Sequence, residues 1–193
     1  KEMLNAKAVG IYAAAVKLCE AWYFIPTALM ASLFPAIVEA RKKSETIYEH
    51  RVQKLYDLMV WGSVTIAIPT TLLSDWIILT LYGRDFLEAV DVLRIYIWAI
   101  VFVSIGVASS KWLVTENLQR YSFYVATLGA IVNVGCNLWF IPIHGIKGAA
   151  FATLLAQVTV SFLALSFFGQ TRKNCWKVIN SFNLYGAYKR VFH

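Results

Sequence analysis

Residues 9–38 read VGIYAAAVKLCEAWYFIPTALMASLFPAIV. Only two charges, Lys17 and Glu20, interrupt this run. An apolar stretch longer than about 18 residues reads as a membrane-crossing helix, and about 20 residues suffice to cross the hydrocarbon. This stretch is longer than that, so it must tilt, kink at Pro26 or Pro35, or project from the bilayer. It is also far too long for the apolar core of a signal peptide. The chain opens with Lys1-Glu2-Met3 and has no initiator methionine. A piece of a longer protein, cut just upstream of a helix, is therefore expected.

The rest of the chain repeats the pattern. Spans are expected at about 9–38, 58–81, 92–114, 121–143 and 148–168, with a basic tail over 169–193. The fold class that follows is an all-α membrane protein, a bundle of about five transmembrane helices. Composition agrees: 59% of the 193 residues are hydrophobic and 15% are charged, against about 45–50% and about 25% in an ordinary soluble domain. Three cysteines without C-x-x-C spacing indicate neither a disulfide framework nor a zinc site. Cys19 and Cys136 lie in apolar runs and read as small core residues.

The net charge of +7 is gathered between spans, not spread over a face that nucleic acid could follow. Twelve cations fall on one side: Arg41, Lys42, Lys43, Arg51, Lys54, Lys111, Arg120, Arg172, Lys173, Lys177, Lys189 and Arg190. Four fall on the other: Lys1, Lys7, Arg84 and Lys147. Cytoplasmic loops carry the excess of Lys and Arg, so the expected orientation puts the tail and the 39–57 loop in the cytoplasm and the N-terminus outside. The 39–57 loop, with Tyr48, Val52 and Leu55 on one helical face, reads as an amphipathic helix on the inner leaflet. The tail mixes basic residues with Trp176, Phe182, Tyr185, Tyr188 and Phe192 and reads as a surface anchor on anionic lipid.

Lys17 and Glu20 are the sharpest local signal. Three residues apart, they share one face of a helix, and each charge in mid-bilayer costs on the order of 2.5–3.5 kcal/mol. One reading is a cation in a wet cavity that meets an anionic head group, with Glu20 as counter-charge or proton site. The other is a structural ion pair between helices. Arg94, with Asp91 one turn before it, reads either as an interfacial anchor that snorkels outward or as a substrate contact. Asp75, near the outer end of the second span, is similar and reads as wet.

Ala126, Ala130, Asn133 and Asn137 fall on one face of the fourth span, and Thr153, Gln157 and Ser161 on one face of the fifth. Such stripes join helices by close approach and hydrogen bonds. If they line a cavity instead, Asn133 and Asn137 meet sugar hydroxyls.

No phosphate-binding loop, dinucleotide fingerprint, H-E-x-x-H or G-x-S-x-G occurs. The histidines His50, His144 and His193 are scattered. No cofactor or metal is expected, and any transport is not driven by nucleotide hydrolysis in this chain. The outer loops, about 82–91 and 142–147, are short for an enzyme that would work on the outer face.

Three segments resemble one family in the order in which it carries them. Val9-Gly10-Ile11-Tyr12-Ala13-Ala14-Ala15-Val16-Lys17-Leu18-Cys19-Glu20-Ala21-Trp22-Tyr23-Phe24-Ile25-Pro26 resembles the eighth helix of Wzx-type O-antigen and polysaccharide-unit flippases, members of the multidrug/oligosaccharidyl-lipid/polysaccharide exporter superfamily. Leu81-Tyr82-Gly83-Arg84-Asp85-Phe86-Leu87-Glu88-Ala89, leading into Val92-Leu93-Arg94-Ile95, resembles the turn between that family's ninth and tenth helices. Asn133 and Asn137, followed by Ile141-Pro142-Ile143-His144-Gly145-Ile146-Lys147-Gly148-Ala149-Ala150-Phe151-Ala152-Thr153, resemble its eleventh-to-twelfth hairpin.

The resemblance implies helices 8–12 of a twelve-helix exporter fold in the bacterial inner membrane. It implies a transporter, not an enzyme, that moves an undecaprenyl-pyrophosphate-linked oligosaccharide between leaflets by alternating access. The implied partners are that lipid-linked glycan, membrane lipids and the missing N-terminal lobe. Lys17 stands where the family usually carries an arginine, and Glu20 stands on its acidic position. Lysine keeps the charge but loses the fork that grips a pyrophosphate at two points. The rival expectations are a drug or cation exporter of the same superfamily, which calls for acidic cavity residues, and a membrane polysaccharide polymerase or ligase.

Overall fold

The computed structural model describes residues 5–163, 166 and 169–192. Lys1, the last residues of the expected fifth span up to 168, and His193 lie partly or wholly outside them. All regular structure among the described residues is helical, and the chain is an all-α membrane bundle.

The opening apolar run forms α1 (Ala6–Trp22) and α2 (Phe24–Lys43). Asn5 caps α1 by accepting from the Ala8 amide at 2.7 Å. The interruption at Tyr23 has a covalent cause: Pro26 has no N–H to give the Trp22 carbonyl, and its ring crowds that turn. With Tyr23 between them the two helices span 38 residues, about 57 Å at 1.5 Å per residue. That exceeds the roughly 30 Å of hydrocarbon, so the rod tilts or one of its ends projects from the membrane.

At Ser44, held extended at φ −164° and ψ 135°, the chain turns into α3 (Glu45–Leu72). Here the structure departs from expectation. Residues 45–57 are not a separate helix lying on a leaflet but the first half of one unbroken helix. Tyr48, Val52 and Leu55 are buried, facing protein where lipid was expected. The apolar face that looked like a membrane anchor is the packing face of a helical stem.

After α3 come α4 (Ser74–Tyr82), a 3-10 turn (Arg84–Phe86) entered through Gly83 at φ 79°, α5 (Ala89–Tyr96) and α6 (Ala99–Thr115). α3 and α6 form the centre of the bundle. Met59, Val60, Ile100 and Ile105 are buried there, and the Ser63 and Ser104 hydroxyls meet at 2.6 Å. Short hydroxyls at a seam let helices approach and bond in a medium without water.

The long helix α7 (Arg120–Val158) breaks at Gly145, whose φ of 57° and ψ of −134° are not helical. Its two arms fold back on each other: a Cβ on Gly129 would meet Val160, and a Cβ on Gly148 would lie 2.2 Å from the Phe140 carbonyl oxygen. The fourth expected span and the described part of the fifth fall on these arms, the second running on into a π-turn at Thr159–Leu163. Four rods among the described residues, Ala6–Lys43, Glu45–Leu72, Ala89–Thr115 and Arg120–Phe162, are long and apolar enough to cross a membrane. Dividing the last at Gly145 makes five crossing segments. Two short helices, α8 (Arg172–Ser181) and α9 (Leu184–Phe192), complete the chain.

Candidate functional site

On α1 the buried face is Ile11, Ala14, Ala15 and Cys19, which packs toward α5. Lys17 and Glu20 lie off that face, and both are exposed. Among the described residues neither finds an ion-pair partner, and they do not pair with each other. Within the described part of this chain, then, they do not form an ion pair that joins two helices. Glu20 borders a small aromatic group that includes Tyr12, Tyr23 and Tyr96; the Tyr12 and Tyr96 rings meet edge to face at 6.3 Å. Together Lys17, Glu20 and the tyrosines behind them make a polar group on α1 and α5.

Arg94 is placed differently. Its Nε donates to Ser74 Oγ at 2.7 Å, and its guanidinium pairs with Asp75 and, at 3.7 Å, with Asp91. Lys147 reaches the same Asp91 at 2.5 Å. The four charges tie α4, α5 and the second arm of α7 together at one end of the bundle, all partly open to solvent. Pairs of that exposure contribute little each, but as a network they fix the relative position of three elements. The geometry of Arg94 is that of a clasp.

Asn133 and Asn137 sit on the inward face of the first arm of α7. The Asn137 amide donates to the Asn133 carbonyl and side-chain oxygens, both at 2.9 Å. Across the hairpin, Asn133 Nδ2 stands 3.5 Å from Thr153 Oγ1, at the outer limit of a hydrogen bond. The two polar stripes thus face each other over a cleft of about 330 Å³ that Gly129, Asn133, Thr153 and Gln157 help to line. It adjoins a larger cleft of about 550 Å³ between α6 and the hairpin, which carries Lys111, Ser122, Gln157 and Ser161 on mostly apolar walls.

The expected site residues therefore form three groups: Lys17 with Glu20 on α1, Arg94 in the charged clasp, and Asn133 with Asn137 in the hairpin cleft. Among the described residues the structure bonds Asn137 to Asn133 and holds Arg94 in its clasp, leaves Lys17 and Glu20 side by side without a bond, and does not join the groups.

The tail adds contacts that sequence reasoning missed. Arg190 grips Asp57 with two bonds, Nε to Oδ2 at 2.7 Å and Nη2 to Oδ1 at 3.0 Å. Lys177 pairs with Glu49, and burial pushes its ammonium below the ordinary lysine range, partly offset by Glu45. Asn174 accepts from the Tyr56 hydroxyl at 2.6 Å and donates to Ser109 at 3.1 Å, closing a buried triad across α3, α6 and α8. Trp61 Nε1 donates to the Ser181 carbonyl at 2.9 Å. The only signal in the sequence was Asp57 itself, an acid at the edge of an apolar span.

Comparisons with known proteins bear on what such a bundle does. The family model described as lipid II flippase MurJ matches residues 3–186. A curated relative, described as "Probable flippase AglR" of Haloferax volcanii, is 27% identical over 172 residues. That alignment covers 84% of this chain and 35% of the relative, so the chain spans about a third of the relative's length. No solved structure matches the chain at a significant level.

Proposed function

The chain belongs to the lipid II flippase MurJ family, and from that premise we propose that it is the C-terminal membrane lobe of a transporter for a polyprenyl-pyrophosphate-linked oligosaccharide. In this reading residues 1–168 are the lobe and 169–193 its cytoplasmic tail. The N-terminus is outside, the membrane is the bacterial inner membrane, and the cargo is an O-antigen or capsule repeat unit. The family description names lipid II as cargo. A polyprenyl-pyrophosphate carrying a glycan is the chemistry common to both.

One observation carries the proposal: Lys17 and Glu20 are exposed on a membrane-crossing helix, without an ion-pair partner among the described residues. Left against lipid tails, each would cost on the order of 2.5–3.5 kcal/mol. A wet vestibule, closed on its far side by the first lobe of the full-length protein, removes that cost. There Lys17 meets the phosphates, Glu20 balances the charge when the cavity is empty, and Asn133 and Asn137 offer amides to sugar hydroxyls. Arg94 stands at the outer rim of the same reading.

No bond of the cargo breaks. The work is to replace water around a charged head group while it crosses hydrocarbon, and alternating access needs the second lobe to rock against this one. A drug or cation exporter would offer acids where Lys17 stands. A polymerase or ligase would need a larger outer loop than the Gly83 turn or the Gly145 turn.

The test uses the full-length protein in cells that depend on its gene. Lys17→Ala is expected to lower surface glycan at least ten-fold, and Lys17→Arg to keep most of it. Unchanged glycan with Lys17→Ala in a stably inserted protein overturns the head-group role. Depletion identifies the cargo, because the untransported lipid accumulates. If mass spectrometry finds the peptide-bearing lipid II in place of a plain oligosaccharide unit, the O-antigen or capsule reading fails while the flippase reading stands.

A further inference from the structure

Along the seam between α1–α2 and α3–α4 runs a furrow that none of the three groups above uses. Near one membrane face it is a cleft of about 330 Å³ between Trp22, Thr65, Pro69 and Ile77. It narrows to about 40 Å³ beside Ile25, Leu29 and Gly62. It then opens, on the side of the Ser44 turn, into about 430 Å³ lined by Leu33, Ala36, Ile37, Leu55 and Leu58, with Arg51 and Lys54. Ile66 is common to the first two clefts and Leu58 to the last two, so the three lie in a row along the seam.

Its polarity is one-sided. The walls of the last cleft are aliphatic, and its charged lining consists of two cations. Arg51 donates from Nη1 to the Ala36 carbonyl at 2.8 Å, which holds its guanidinium over the groove. Among the described residues no carboxylate pairs with Arg51 or Lys54; Glu39, on the same stem, is taken by Lys43 at 2.5 Å. An occupant that satisfies both features has an apolar tail and an anion at one end. A free anion gains nothing from the aliphatic walls, and a neutral lipid leaves Lys54 without a counter-ion and Arg51 with the Ala36 carbonyl and the more distant charge of Glu39.

We propose that this groove is a binding site for an anionic phospholipid of the leaflet on the Ser44 side. One acyl chain lies against Leu33, Ile37, Leu55 and Leu58, and the phosphate lies on Arg51 and Lys54. The site does not depend on the nature of the transported cargo or on which side of the membrane is cytoplasmic. A bound lipid here splints the α2–α3 stem where it leaves the membrane.

Full-length protein in nanodiscs of phosphatidylcholine, doped with phosphatidylglycerol or phosphatidylcholine carrying an acyl-chain diazirine, tests it by photolysis and peptide mapping. The phosphatidylglycerol probe is expected to mark the peptides around 33–37 and 55–58 at least five-fold more than the phosphatidylcholine probe, since each basic residue near a membrane surface favours anionic lipid by about 1 kcal/mol, roughly five-fold. Lys54→Gln, which breaks no hydrogen bond of the hairpin, should lower that excess, and Arg51→Gln with Lys54→Gln should abolish it. The charge-preserving pair Arg51→Lys with Lys54→Arg should keep it. Equal marking by the two probes, or marking unmoved by Lys54→Gln, overturns the site. Absence of marking by either probe overturns it too, because the furrow is then covered by the rest of the protein. Displacement by stoichiometric undecaprenyl phosphate would reassign the groove to carrier lipid.

Discussion

Asp57 is 1% exposed, and its carboxylate depends on Arg190, whose side chain keeps 27% of its surface in water. The asymmetry makes a prediction. Without Asp57, the guanidinium can turn outward and hydrate. Without Arg190, a buried carboxylate is left with the Gln53 amide at 3.1 Å as its remaining side-chain partner, and breaking a buried pair from that side is the costly way. Arg190→Met should therefore destabilise more than Asp57→Asn, by about 2 kcal/mol against about 1 kcal/mol, within the range for hydrogen bonds to charged groups. Thermal unfolding and protease sensitivity of the tail in detergent would measure it. Equal losses would mean that the carboxylate is not carried by this contact. The same pair shows what a sequence conceals at this scale. Lys17 stands out because Glu20 is the only other charge within two turns of it on either side. Asp57 is an acid at the end of a charged stretch, and its partner lies 133 residues away, so nothing local names that partner.

Elements were easier to read than the contacts between them. Hydropathy marks a span because the bilayer acts on every residue of it, and the Gly145 turn was legible from Pro142, Gly145 and Gly148 between two apolar runs. That the first half of α3 and the tail pack on each other was not legible, since an apolar stripe looks the same whether protein or lipid covers it. The hairpin itself offers a graded test through its glycines. A Cβ on Gly148 would stand 2.2 Å from the Phe140 oxygen and 2.6 Å from its carbon, both backbone atoms that cannot swing aside. At Gly145 space is open, but φ of 57° disfavours any side chain, by roughly 1–2 kcal/mol. At Gly10, inside α1, there is neither obstacle, and alanine should add up to about 1 kcal/mol of helix preference. The expected order of melting temperature is Gly10→Ala at or above the parent, then Gly145→Ala, then Gly148→Ala, the last with the two arms of α7 splayed. A Gly148→Ala protein as stable as the parent would show that the arms do not approach as described.

For the molecule as a whole, the question is what covers each face. Phe123, Ile131, Leu138 and Trp139 on the first arm of α7 are exposed and apolar, as a lipid-facing surface should be. The face of α1 with Lys17, Glu20 and Ala21 is exposed too but carries two charges, and a bilayer cannot solvate both faces equally well. Either the α1 face opens on water or the charges are neutralised by parts of the full-length protein beyond this chain. Single cysteines distinguish the two. With Cys19, Cys136 and Cys175 replaced by alanine in the full-length protein, Lys17→Cys should react with a membrane-impermeant maleimide in intact membranes. Leu138→Cys should resist it at least ten-fold, because a thiol in hydrocarbon does not form the reactive thiolate. Reaction at Lys17→Cys should slow when lipid-linked cargo is allowed to accumulate, since the head group then occupies the same water. If position 17 proves as inert as position 138, the amine is sealed in a dry seam. The vestibule, and with it the transport role assigned to Lys17, would then be lost, while the five crossing segments would stand.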